Sequence, residues 1–197
     1  MGTNNQALLS SDLYLGYKQP RLSGPDYDAL VEEFVEAVNE VFPGAMIQWE
    51  DFRKNNALDI LERYRHRALS FNDDIQGTGA VALAGIMSGC RVTGQALTEQ
   101  RILIYGAGAA GMGIARQLRA ALASQGADER GQQRGVALMD SRGLLVSNRD
   151  LGDRHKEDLA WSPEVAAEFD FGSDNAREML DVVNAYKQTV IIGSSGQ

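Results

Sequence analysis

The segment from Arg101 to Asp140 constrains the fold of this chain more than any other. Arg101-Ile102-Leu103-Ile104-Tyr105 reads as a buried strand, and Gly106-Ala107-Gly108-Ala109-Ala110-Gly111 follows at once. An alanine-rich helix from Gly111 to about Ser124 comes next. A polar stretch over 125–134 reads as a surface loop, and the strand Gly135-Val136-Ala137-Leu138-Met139 ends at Asp140. A lone Gly-x-Gly-x-x-Gly is weak, but after a strand, before a helix and ahead of an acid-terminated strand it has the context of a dinucleotide fingerprint. Gly106 would permit the tight turn, Gly108 would let the backbone approach a pyrophosphate, and Gly111 would allow close packing. The helix N-terminus supplies N–H donors for phosphate, with Ala107, Ala109 and Ala110 completing the loop. Asp140 would accept from the ribose hydroxyls; the polar insertion at 125–134 explains why it lies beyond the usual spacing of about 20. An acid there favours NAD, whereas Ser141 and Arg142 leave NADP open.

The flanking sequence extends this pattern. Ser23-Gly24-Pro25 opens a helix with Leu30, Val31, Phe34, Val35, Val38 and Val41 on one face, stopped by Pro43-Gly44. A strand from Ala45 to Trp49, a helix from about Ala57 to Arg67 and a strand from Leu69 to Phe71 follow. Near the end come a helix around Ala176 to Ala185, a strand from Thr189 to Ile192 and a glycine turn at Gly193–Gly196. Alternating strands and helices predict an α/β fold: a Rossmann-like doubly wound parallel sheet, preceded by a helical and αβ segment of a second domain. The expected division is 1–72 and 73–197.

Residues 71–86 place Asn72-Asp73-Asp74 at the mouth of a helix of small and apolar residues, which is expected to be buried. Glu50-Asp51 ends another strand, at the sheet edge where ligands bind in open α/β folds. Four converging acids would raise each other's pKa values, and a divalent cation resolves the conflict. Oxygen-only ligation, with His66 and His155 in charged segments, selects Mg²⁺ or Mn²⁺ over zinc. Ordinary capping and surface acids are the plainer alternative for Glu50-Asp51.

Composition narrows the class. With 197 residues, 44% hydrophobic, the chain can bury a real core, and a formal charge of −8 argues against nucleic acid or an anionic membrane as partner. Cys90 is the single cysteine, which excludes an internal disulfide and a Cys-rich zinc site. No stretch is long and apolar enough to span a bilayer and no secretory pattern opens the chain, so the expected location is cytoplasmic or an organelle matrix.

Gly2-Thr3-Asn4-Asn5, Tyr14-Leu15-Gly16, Ile47-Gln48-Trp49-Glu50-Asp51-Phe52, residues 71–86 and the Gly106–Gly111 loop together resemble malic enzymes, in order and spacing, over nearly the whole chain. The resemblance implies oxidative decarboxylation of malate to pyruvate and CO₂, with NAD (or NADP) reduced and Mg²⁺ or Mn²⁺ bound. It assigns Glu50, Asp51 and Asp74 to the metal and pairs Asp73 with a catalytic lysine. Lys156 stands near a lysine position of NADP-using members. Residues 1–72 become the end of the substrate- and metal-side domain, and 73–197 a nucleotide domain cut at its C-terminus. The family's tyrosine acid, lysine base and substrate arginine precede the first residue of this chain. Tyr14, Tyr17 and Lys18 match a different part of the pattern and do not take those roles. The chain alone is therefore expected to be inactive and to bind metal weakly, within a full-length protein that forms a homo-oligomer. The alternatives are a dinucleotide-binding module without catalysis and a malolactic-type enzyme that releases lactate.

Overall fold

A computed structural model describes residues 2–171 and 178–195. The chain divides into two compact units, Met1–Ile47 with His66–Leu69, and Gln48–Arg65 with Ser70–Gln197.

In the first unit a short helix α1 (Gln6–Leu9) is capped by the Asn5 side chain, which accepts from the N–H groups of Ala7 and Leu8. Helix α2 (Pro25–Val41) starts at a proline, whose missing N–H costs nothing in a first turn, with Asp26 and Asp28 suited to the positive end of the dipole. Of its apolar stripe, Val31 and Val35 are buried while Phe34 and Val41 are exposed.

The second unit begins within β1 (Ile47–Trp49) and continues through α3 (Lys54–Tyr64) to β2 (Ser70–Asn72), which pairs with β1. A π-helical turn, Asp73–Gly77, leads into α4 (Thr78–Thr93). A 3₁₀ turn at Leu97–Glu99 precedes β3 (Ile102–Tyr105), α5 (Ala109–Ser124), α6 (Glu129–Gly135), β4 (Val136–Asp140) and β5 (Gly143–Leu144). Then come α7 (Arg154–Glu157), α8 (Pro163–Ala166), α9 (Met179–Tyr186) and β6 (Val190–Gly193).

The sheet order is β5-β4-β3-β6, with β3 parallel to β4 and β6 and with β5 antiparallel to β4. Ile102 registers with Val136 on one side and Val190 on the other. Alternation splits the strand residues between two cores. Ile102, Ile104, Val136 and Leu138 share one core with α5 residues such as Met112, Ala115 and Leu118, which Leu58 and Leu61 of α3 extend. Leu103, Ala137 and Met139 face Trp161, Val165, Val182 and Tyr186 on the opposite side. Burial on both faces explains the uninterrupted apolar runs and establishes the doubly wound α/β architecture. The indole N–H of Trp161 donates to the Val136 carbonyl, and its ring meets Phe169 and Tyr186.

Two sequence expectations change. The stretch 125–134 is not all loop: its second half is α6, because Asp128 accepts from the Gly131 N–H at the N-cap and Arg130 and Arg134 both reach Glu168. Helix α4 is not buried; Gly79 alone of its residues is, and Val81 and Val92 are 74% and 88% exposed. Ala82, Leu83, Ile86 and Cys90 cover the core, and a helix apolar all round shows no period from which to read which side that is. The expected helix start at Ala176 and the last glycine of the turn, Gly196, lie outside the described residues.

Candidate active site

The glycine loop joins the end of β3 to α5. Gly106 has φ of +124°, a backbone that side chains rarely adopt, and its N–H donates to the Met139 carbonyl at the end of β4. A methyl group on Gly106 would meet the Ser194–Ser195 backbone at 2.7 Å, and one on Gly111 would run into the Gly106 carbonyl. Gly111 thus closes the loop on itself. Gly108 caps α5, and its carbonyl takes the first helical bond, from Met112. The N–H groups of Ala109, Ala110 and Gly111 precede that bond and are oriented for an anion. Beside the loop lies a cleft of about 260 Å³ lined by Tyr105, Gly106, Ala107, Gly108, Asp140, Ser141, Ser194 and Ser195.

Asp140 stands at the rim of this cleft with its side chain 8% exposed. Lys156 Nζ donates to one oxygen at 2.7 Å; Arg149 at 2.8 Å and the Arg142 N–H at 2.9 Å donate to the other. Burial pushes the carboxyl up, but the bonds from Lys156, Arg149 and Arg142 outweigh it and bring it down to about 2. The Arg142 guanidinium turns instead to the Leu151 carbonyl. Ser141, Arg142 and Lys156 therefore do converge around Asp140, though Arg142 acts through its backbone.

The carboxylates gather in the same unit, around the end of β1 and the π-helical turn. Asn72 caps the π-helical turn: its Oδ1 accepts from the Ile75 N–H at 2.9 Å, and its own N–H donates to Gln76 Oε1 at 3.0 Å. This reciprocal cap fixes Asp73 and Asp74 at the positive end of the turn. A methyl group on Gly77 would run into Asp73 Oδ1, a side-chain end, as now placed. The Asp51 N–H donates to Asp74 Oδ2 at 3.0 Å, and Asp51 itself is left-handed, φ 59°. Glu50 is exposed, yet its carboxyl is raised by partial loss of solvent and by Asp74, Asp73 (which also shares a hydrogen bond with it) and Asp51. For a group so exposed, the neighbouring like charges are the telling cause. Among the described residues, no three His, Cys, Asp or Glu are grouped as ligands of a single ion. The donor set nevertheless fits a hard divalent cation in its chemistry: all oxygen, surplus negative charge, and a carboxylate already disfavoured in its ionised form.

Three features were beyond sequence reasoning or passed over by it. Arg149 reaches Asp140 from a loop with no motif of its own. Ser194 and Ser195 line the cleft, and Ser194 Oγ donates to the Gly106 carbonyl at 2.8 Å; the Gly-Ser-Ser turn after a strand was the available signal. His155 is buried, its ring between Asp59, Glu62 and Arg116, despite its charged sequence neighbours.

Among the described residues no helix is long and apolar enough to cross a membrane. The family model for the N-terminal domain of malic enzymes matches residues 1–65, and that for the malic enzyme NAD binding domain matches 75–197. NAD-dependent malic enzyme 1 of Vibrio vulnificus is 42% identical over 100% of this chain, which covers 35% of that protein. The NAD-dependent malic enzyme of Shewanella halifaxensis is likewise 42% identical, with the same coverage of 100% and 35%. The chain spans about a third of the length of these curated relatives. The crystal structure of Entamoeba histolytica malic enzyme matches 88% of this chain and 32% of its own with a TM-score of 0.62, at 24% identity, a likeness of fold. Malic enzyme from Pyrococcus horikoshii matches 66% of this chain and 31% of its own, with a TM-score of 0.53 at 28% identity. With both family models matched in sequence order, and the larger covering well over half of the residues, this chain belongs to the malic enzyme family.

Proposed function

We propose that this chain forms the dinucleotide seat and part of the metal site of an NAD-dependent malic enzyme, which converts malate and NAD⁺ to pyruvate, CO₂ and NADH. Residues 73–197 are read as the nucleotide domain and 1–72 as the end of the substrate-side domain. The observation that carries this reading is the gathering of Glu50, Asp51, Asp73 and Asp74, with Glu50 pushed up by the others, in the same compact unit as the glycine loop.

The residues divide the work. The loop Gly106–Gly111 seats the pyrophosphate with backbone N–H groups, and Asp140 meets the adenosine ribose with Ser141 and Arg142 beside it. Asp140 favours NAD, since a 2′-phosphate would face its carboxylate; Lys156 and Arg149 moderate that repulsion. Glu50, Asp51 and Asp74 hold Mg²⁺ or Mn²⁺, and Asp73 orients a lysine supplied by the rest of the protein. When bound, the cation supplies Lewis-acid polarisation of the oxygen on malate C2. In the overall change C2 of malate would give up a hydride to the dinucleotide, the C4 carboxylate borne by C3 would be lost as CO₂, and the proton lost from the hydroxyl would be balanced by one gained at C3.

A thermal-shift comparison of NADH and NADPH, each with and without Mn²⁺, tests the reading on the chain itself. A rise in Tm with NADH, larger than with NADPH and further increased by Mn²⁺, is expected. No shift with any combination would overturn it.

A further inference from the structure

The two parts of the proposed site touch through backbone. Gly113, two residues into α5 from the last loop glycine, lies against the Ile75 carbonyl in the middle of the π-helical turn. An added methyl group there would collide with the Ile75 oxygen and stand 2.7 Å from its carbonyl carbon. Gly79, buried in the first turn of α4, lies against the Gly113 carbonyl in turn; its added methyl would meet that oxygen at 3.0 Å and Gln117 Cβ at 3.3 Å. The Ile75 and Gly113 carbonyls are main-chain groups, which cannot swing aside as a side-chain end does, and Gln117 Cβ is bonded directly to its own backbone. Two glycines thus let the helix that receives the pyrophosphate rest directly on the turn that presents Asp73 and Asp74.

From this contact we infer that Gly113 is a positioning residue that couples dinucleotide and metal binding. It touches neither ligand. A pyrophosphate held by the N–H groups of Ala109–Gly111 fixes the first turn of α5, and Gly113 one turn on transmits that fixation to the Ile75 carbonyl. The π-helical turn is the other half of the device. Such turns are rare and recur at functional sites, and this one is held on one side by the Asn72 cap and on another by Gly113. Fixing the turn narrows the positions open to the Asp74 carboxylate. Coupling of this kind is reciprocal, so metal must strengthen dinucleotide binding by the same factor. The inference rests on the assignments made under the proposed function.

The test measures Mn²⁺ affinity of the chain by electron paramagnetic resonance of the free ion, with and without saturating NADH, and NADH affinity by its fluorescence. Wild-type chain is expected to bind Mn²⁺ about fivefold more tightly with NADH present, the low end of measured couplings. Gly113→Ala is expected to abolish the enhancement while NADH affinity changes less than threefold, and Gly79→Ala to reduce it partly. Hydrogen exchange of wild-type chain gives a reading independent of either variant: NADH should slow exchange of the Asp73–Gly77 amides. NADH and Mn²⁺ that bind without influencing each other, or full enhancement in a folded Gly113→Ala chain, would overturn the coupling and leave the site assignments standing. Failure of wild-type chain to bind either ligand would overturn those assignments and the coupling with them.

Discussion

The main-chain N–H of Asp51 donates to Oδ2 of Asp74 at 3.0 Å, and Asp51 makes this bond from the left-handed region of backbone space. Few residues other than glycine tolerate that conformation; Asp and Asn are among those that do. The bond ties a residue just after β1 to the π-helical turn and holds two acids of the proposed metal site close through the main chain of one and the side chain of the other.

The charge of Asp74 and its role as acceptor are separable. Asp74→Asn keeps an oxygen for the Asp51 N–H, so its stability should match wild type while Mn²⁺ affinity falls by more than the roughly tenfold that loss of a merely supporting group costs. Asp74→Ala should lose the same affinity and a further ~1 kcal/mol of stability with the hydrogen bond. Resonance of free Mn²⁺ and urea unfolding read the two effects. Equal stability of both variants would show that the bond contributes nothing.

Asp140 makes stability depend on acid. Its carboxyl titrates near 2 in the folded chain, below the ordinary 3.8. The stabilisation from its ionised form is therefore present in full above about pH 4 and is lost as pH falls toward 2. A difference of this size corresponds to about 2 kcal/mol. Asp140→Asn should accordingly be less stable than wild type at pH 6 by about that amount, the gap narrowing in urea titrations run from pH 5 down to pH 2. A gap independent of pH would assign the loss to packing.

Lys156 occupies one oxygen of Asp140. Lys156→Ala should free that oxygen for ribose hydroxyls, leaving NADH affinity within threefold of wild type. NADPH affinity should fall about tenfold, the worth of one charge-assisted hydrogen bond to a 2′-phosphate. The ratio of the two dissociation constants, measured by fluorescence, is the readout, and an unchanged ratio would remove Lys156 from cofactor choice.

Gly77→Ala should act on Asp73 alone. The added methyl group has Asp73 Oδ1 in its way, a side-chain end that can turn aside. Alanine also favours helix over glycine by up to about 1 kcal/mol. Tm should hold or rise, while the Glu50 carboxyl, followed by carbon NMR through an acid titration, should shift down toward its ordinary value as Asp73 moves off. A Glu50 titration identical to wild type would count against Asp73 as one of its neighbours.

The dinucleotide half of the site was legible because its signals are local. Gly106 and Gly111 each answer to a backbone demand within a few residues, and the strands on either side are buried on both faces, so their composition alone announces them. Asp140 was legible as the acid at a strand end, but Arg149 was not, since its approach depends on how the loop after β5 folds back. Cap residues had a mixed record. Asn72 was readable, as was Pro25 just inside the start of α2, whereas Asp128 lay in a polar stretch whose helix draws on Glu168, far along the chain, for its ion pairs. Gly113 was visible as a letter and silent as a contact: nothing in its neighbourhood names Ile75 as the atom group it must clear. The acids themselves were found by type, and their mutual influence on Glu50 follows the repulsion expected of them.

The placement of the tryptophans has an optical consequence. The chain has two. Trp49 immediately precedes Glu50 and lies buried with Phe52 and Tyr64 around it. Trp161 is sealed in the core on the face of the sheet away from α5. Emission from the chain is therefore the sum of two probes in different settings, one beside the carboxylates and one remote from them. Replacing Trp161 by phenylalanine leaves a single tryptophan, next to the acids, so that with excitation selective for indole binding there can be followed by light without attaching a label.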